Sequence, residues 1–263
     1  MYGDRLRVSI HTLFGKSSSL YNLSTCVGRS HLEVANLVAA PYASGLACLV
    51  EDEMELGVIL VDMGGGTTSF AVFHEGQLRH TESIFIGGGH VTIDIARAFS
   101  TTMVNAERLK TLYGSAIPSA ADDQEMINVP LVGEKRGEGT NQMPRSTLVS
   151  VIQPRIEETF ERIRNRLEKA KIDPFIGRVV LTGGASQLAG VREVASMILG
   201  KNIRLGKPLH LASSDLSQDP SFSTCAGLLS YGQAEHLAYS QGLTQVDSKH
   251  ILTQIGSFLR QIW

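Results

Sequence analysis

No stretch of the 263-residue chain approaches the roughly 20 consecutive apolar residues that cross a bilayer as a helix. The N-terminus, Met1-Tyr-Gly-Asp-Arg5, lacks the apolar run of a secretory leader, so none is expected. The three cysteines, Cys26, Cys48 and Cys225, lie far apart without a CxxC pair. That spacing offers no cysteine metal site and reads as reduced, mostly buried thiols. Charge of one sign is also missing: 24 basic and 26 acidic residues leave a net charge of -2, which removes the electrostatic grounds for nucleic-acid binding. With 43% hydrophobic and 19% charged residues, the chain is of ordinary globular composition, long enough for one large domain or two modest ones.

Residues 1–34 read as a short α/β piece: an alternating stretch from Leu6 to Ile10, a Gly/Ser turn at 15–19, and a helix-like segment to Arg29. Val34 to Pro41 is an apolar run stopped by proline. A helix of small residues from Tyr42 to Val50 follows, and then an acidic run, Glu51–Glu55, that reads as a solvated turn. Gly57–Asp62 is continuously apolar, as a strand covered on both faces must be. Further strands are expected at Ser69–Phe73 and Leu78–Ile86, with a hairpin turn at Glu75-Gly76 between them. Val91–Phe99 has helical spacing. Residues 114–145 are rich in Gly, Pro, Ser and charge, with one strand candidate from Met126 to Val132. A long helix is expected from Ser146 to Lys171. It buries Leu148, Ile152, Ile156, Phe160, Ile163 and Leu167, and Pro154 kinks or starts it. Val179–Thr182 is another buried strand, followed by Gly183-Gly184 and an amphipathic helix, Gln187–Leu199. A short strand, Ile203–Leu205, and a last core helix, Pro220–Tyr231, precede a polar linker over 232–248.

Chemistry concentrates in glycine turns at strand ends. In Asp62-Met-Gly-Gly-Gly-Thr-Thr68, glycines let the backbone approach an anion, and successive N–H groups form an anion-binding concavity. An Asp at the strand end can hold a metal-bound water beside phosphates. Taken alone, the same turn fits a tight hairpin. Gly183-Gly184 follows a second apolar strand roughly 120 residues later. Between them, Glu107 and Lys110 share a helix face at i, i+3, either toward a ligand or as a surface ion pair.

The order strand–DxGGGT–strand, Gly87-Gly88-Gly89 before a helix, Ala106-Glu-Arg-Leu-Lys110, then Leu181-Thr-Gly-Gly184 resembles the second half of the actin, Hsp70 and sugar-kinase superfamily. Within it, the stretches 52–67, 77–80, 91–96, 179–185, 202–208 and 224–231 resemble the cell division FtsA family over essentially the whole chain. The resemblance implies an α/β, actin-like (ribonuclease H-like) fold, present in part, with a small inserted subdomain. In the family's terms, 1–34 ends a 1C-type subdomain and 35–56 ends a 1A-type one. Residues 57–96 with 175–231 form a 2A-type nucleotide-binding core, and 97–174 a 2B-type insertion.

The resemblance also assigns roles. Asp62, Gly64, Gly65, Gly66 and Thr67 would form a phosphate loop, with Gly88 beside it and Asp62 holding Mg2+ through water. Glu107 and Lys110 would face ribose and adenine, and Gly183 and Gly184 the base, making ATP and Mg2+ the expected cofactors. The superfamily's first phosphate loop has no counterpart here, so an N-terminally truncated member and a weakened grip on phosphate are expected. Ala39 and Ala40 stand where hydrolytic relatives place a Glu or Gln, and alanine can neither take a proton nor orient water. Weak or absent ATPase activity is therefore expected, with no catalytic residue. The implied function is an adaptor that tethers FtsZ filaments to the cytoplasmic face of the cell membrane at the division septum and self-assembles. Its implied partners are the FtsZ C-terminal peptide, further copies of itself, anionic membrane and other divisome proteins, with no nucleic acid. Arg145 and Arg155 are the basic residues read toward the FtsZ peptide, or else as a solvated helix face. A phosphotransfer enzyme, or a shape-determining or pilus-type scaffold of the same superfamily, is the alternative.

The last 15 residues, 249–263, carry their own pattern. Ile251, Leu252, Ile255, Phe258, Leu259 and Ile262 form one apolar stripe, with Lys249, His250 and Arg260 near its edges and Trp263 at its end. About 22 Å of helix is too short to span a membrane. The stripe suits a helix lying in the headgroup plane, or one packed on the body or in a partner's groove. With the resemblance it reads as membrane-targeting.

Overall fold

The computed structural model describes residues 10–133, 140–172, 176–209 and 218–240. Its centre is a five-stranded mixed sheet of β1 (Val58–Met63), β2 (Thr68–His74), β3 (Gln77–Ile84), β6 (Arg178–Thr182) and β7 (Asn202–Leu205), in spatial order β3-β2-β1-β6-β7. The first three strands form an antiparallel meander, and β6 and β7 add parallel to it. A separate hairpin pairs β4 (Met126–Pro130) with β5 (Thr140–Pro144).

The continuous apolar character of β1 is explained by helices on both faces. Ile59, Val61 and Met63 point into a core roofed by α4 (Gly88–Ala98), α5 (Met103–Tyr113), α6 (Arg145–Lys169) and α7 (Val191–Leu199). Val58 and Leu60 point the other way, under α2 (Ala40–Cys48) and α8 (Ser223–Ser240). Two glycines let this second layer close. Gly45 of α2 lies over the Phe73 ring, where an added Cβ would come within 2.5 Å, and a Cβ on Gly227 of α8 would stand 1.7 Å from the Ala43 carbonyl oxygen. α6 buries the expected stripe, Leu148 through Leu167.

Several expectations need correction. Pro154 does not start α6; the helix runs through it, because the buried residues on either side keep one stripe in register. Pro41 lies in the first turn of α2, where its missing N–H costs nothing. α1 (Ser17–Gly28) begins inside the expected Gly/Ser turn and buries no residue. The loop-like middle holds a second strand, β5, that its polar sequence conceals. The last core helix extends to Ser240, so residues 232–240 are helix and not linker. Of the cysteines only Cys48 is buried; Cys26 and Cys225 are exposed. The stretch 249–263 lies outside the described residues, as does most of the expected strand at 6–10. Among the described residues no helix is long and apolar enough to cross a membrane.

The acidic run is not a turn but a helix, α3 (Glu51–Leu56), whose first-turn carboxylates suit the positive end of the helix dipole. Glu53 is its anchor, with its side chain only 5% exposed. It accepts from the Val50 N–H, from Arg178 Nη1 at 3.2 Å and from Arg204 Nε at 2.7 Å, tying α3 to β6 and β7. Burial pushes its carboxyl pKa up, but the arginines and the backbone donor outweigh that and hold it below the ordinary 4.5. A lowered folded-state value places this contribution fully in force above about 4.5, with loss as pH falls below that through the folded value. Glu53→Gln is therefore expected to cost about 1–3 kcal/mol at neutral pH, and the gap to the parent should shrink in acid; urea melts across pH test this. Gly227→Ala should destabilise by about 3 kcal/mol, since the contact is backbone and cannot yield. Gly232→Ala, on the same helix with nothing within 4 Å, should instead be neutral or stabilising by up to about 1 kcal/mol. Similar urea midpoints for the two variants would contradict the close helix contact.

Candidate functional site

Parallel pairing of β1 with β6 sets Asp62 beside Thr182, so the glycine turns that follow the two strands emerge together at one sheet edge. Gly183, at φ +85°, packs so tightly on the end of β1 that a Cβ would come within 2.5 Å of Asp62 Oδ1 and 2.6 Å of the Met63 carbonyl oxygen. The Gly64–Gly66 turn is in turn clasped by the start of α4. Gly88 N–H donates to Gly64 O at 2.9 Å, and Gly89 N–H to Gly65 O at 2.7 Å. These bonds fix the turn by its carbonyls and leave the amides of Gly65 and Gly66 without partners among the described residues. A Cβ at either of those two glycines would meet nothing within 4 Å. The chain itself does not require glycine there; the space is open.

That space continues into a cavity of about 660 Å³ whose lining includes Gly64, Gly65, Gly88, Glu107, Lys110 and Gly184, with Arg145, Ile156 and Leu188 also in its wall. Glu107 and Lys110 are thus neither separate nor a plain surface pair. Lys110 Nζ donates to Glu107 Oε2 at 2.7 Å, to Thr92 Oγ1 at 2.9 Å and to Gly88 O at 3.1 Å. Thr92 also donates to Glu107, a link the sequence reading missed because a helix-interior threonine carries no motif. The lysine is 15% exposed and the glutamate 54%, so the carboxylate is the member that reaches open space. Burial raises the Glu107 carboxyl pKa, but Lys110 and Thr92 more than reverse this and hold it charged below the ordinary range.

The other sequence-derived residues are placed differently. Asp62, Gly66, Thr67 and Gly183 adjoin the cavity without lining it. Arg145 lines the cavity, with Nε donating to Tyr113 O at 2.7 Å and Nη1 to the buried Asp122 at 2.5 Å. Arg155 makes a two-pronged pair with Asp94 of α4, at 2.6 and 3.1 Å, and also pairs with Glu158. Both guanidinium groups are therefore engaged within the chain, fastening α6 to its neighbours.

Comparison with known proteins gives a consistent result. The family model for cell division protein FtsA matches residues 59–227. The cell division protein FtsA of Agrobacterium fabrum is 49% identical over 89% of this chain and 53% of its own length. That of Escherichia coli K12 is 35% identical over 99% of this chain and 62% of its own. The chain thus spans only about half to three-fifths of these relatives. Among solved structures, MreB 5 of Spiroplasma citri bound to AMPPNP superposes with a TM-score of 0.68 at 15% identity, covering 87% of this chain and 68% of that one. The PilM-PilN type IV pilus biogenesis complex matches at 0.60 and 20% identity, over 81% and 57%. The fold is that of the actin-like α/β class.

Proposed function

This chain belongs to the cell division protein FtsA family, and from that premise we propose that it is the nucleotide-binding portion of an actin-like division adaptor. The observation that carries the reading is the convergence of the β1 and β6 glycine turns on one cavity whose wall holds Glu107 and Lys110. ATP fits the residues present. The unpartnered amides of Gly65 and Gly66, in open space, suit phosphate. Gly64, Thr67 and Gly88 complete the cradle, Glu107 and Lys110 take the ribose and adenine, and Gly183 and Gly184 shape the base end. Asp62 has no basic side chain paired with it among the described residues, which suits a carboxylate holding Mg2+ through water. Bound Mg2+ would supply charge neutralisation for the phosphates. Ala39 and Ala40, at the start of α2, offer no group to activate water, so we take nucleotide to regulate assembly and not to be turned over quickly.

The adaptor role has two further parts. The 249–263 stripe would lie in anionic membrane at the cytoplasmic face of the division septum. Its roughly six apolar side chains offer about 6–10 kcal/mol, against a comparable ordering cost. One copy would bind marginally, and a row of copies firmly through effective concentration. The FtsZ C-terminal peptide and other divisome proteins would be the partners. With Arg145 and Arg155 occupied internally, the peptide surface would draw on other residues of the 97–174 insertion.

Two measurements test this. Calorimetry of ATP with Mg2+ should give saturable binding that Gly65→Val, which fills the open space, weakens at least tenfold; no binding by the parent would remove the nucleotide reading. Phe258→Glu with Trp263→Glu should release the protein from anionic liposomes, and unchanged co-sedimentation would refute the anchor.

A further inference from the structure

The end of β1 carries an arrangement that none of the glycine-turn chemistry requires. Ser44 of α2 and Thr224 of α8 both direct their hydroxyls at one oxygen of Asp62. Ser44 Oγ donates to Oδ2 at 2.6 Å and Thr224 Oγ1 to the same atom at 3.0 Å, and the two hydroxyl oxygens lie 2.9 Å apart. Two protons serve this triangle of oxygens, and both are accounted for if each is given to the carboxylate. Among the described residues Oδ1 receives no donor; it lies against the Gly183 backbone, where a Cβ would come within 2.5 Å. One carboxylate oxygen is therefore saturated and the other left with its lone pairs.

A second set of paired polar side chains lies one turn away. Ser44 is fully buried. One turn further along α2, Cys48 Sγ donates to Ser223 Oγ at 3.2 Å, and Ser223 Oγ lies 2.6 Å from Thr182 Oγ1 at the end of β6. Thr182 in turn donates to Gly206 O at 3.1 Å. This second chain of polar groups ties α2, α8 and β6 together beside the first, while the donors to Asp62 itself come from two elements, α2 through Ser44 and α8 through Thr224.

We propose that Ser44 and Thr224 are positioning residues that lock Asp62 Oδ2 so that Oδ1 is presented to a hydrated divalent cation accompanying the nucleotide phosphates. The inference rests on the nucleotide reading above and adds to it the two residues that orient the cation's carboxylate. Groups that orient a metal-binding carboxylate typically govern metal affinity by 10- to 100-fold. A purely structural role, satisfying a half-buried charge, would affect stability but not the response to the cation.

The test separates these roles. ATP is titrated calorimetrically into the full chain in excess Mg2+ and again in EDTA, for the parent, Ser44→Ala, Thr224→Val and Thr224→Ser, with circular dichroism melts on each. The ratio of the two affinities should fall at least tenfold in Ser44→Ala and Thr224→Val while the EDTA affinity changes by less than about twofold, and Thr224→Ser should restore the ratio. Should Ser44→Ala fail to fold, the near-isosteric Thr224→Val and its Ser rescue carry the same comparison. An unchanged ratio in a folded variant overturns the positioning role and leaves the nucleotide reading standing. No ATP binding by the parent in either condition overturns both.

Discussion

Parallel pairing of β1 with β6 is the constraint on which everything else depends. Four register pairs, Ile59 with Val179 through Asp62 with Thr182, join segments more than a hundred residues apart. Parallel neighbours need a crossover, and here the crossover includes the meander, the small hairpin and α4 to α6. Because both strands end at the same sheet edge, their glycine turns meet without either needing to be long. The cavity is thus a product of strand register and not of loop design. A one-residue slip would reverse which side chains of β6 face each helical layer.

The two helical layers are built by different means. On the α6 side, large aliphatic side chains and Phe160 fill a deep core. On the α2–α8 side, glycine, alanine, serine and threonine bring backbones close enough for hydroxyls to reach one another and Asp62. Small residues are required there because the gap is narrow, and the hydroxyls that the narrowness traps are paired, as buried polar groups must be. Close backbone packing and paired polar side chains thus occur together behind the turn after β1.

Much of this was legible in the sequence where a single physical signal dominated. Val58–Val61 and Val179–Leu181 read as buried strands because no polar residue interrupts them, and the α6 stripe because six apolar residues repeat at helical spacing. Legibility failed where tertiary partners supply what the local sequence lacks. Glu51–Glu55 looks solvated until Arg178 and Arg204, far along the chain, neutralise Glu53. Thr140–Pro144 has no strand-like pattern and takes its form from pairing with β4 and from Met143 packing on the core. Motif order singles out Asp62, Glu107 and Lys110, of which Glu107 and Lys110 line the cavity. It does not single out Thr92, Ser44 or Thr224, because a hydroxyl inside a helix has no sequence signature, and only its neighbours give it a task. Arg145 and Arg155 read as free positive charge because the sequence does not reveal that Asp122 and Asp94 face them.

α6 runs the length of 25 residues, about 37 Å of rod. Arg145 at its first residue and Ile156 about half-way along line the cavity, while near the far end Arg166 grips Glu82 on the edge strand. A stiff rod with one end in a cleft converts angle into travel. A tilt of about 3° at the cavity would carry the distant end through about 2 Å over that length, so a small change in the filling of the cleft is magnified at a surface that touches none of it.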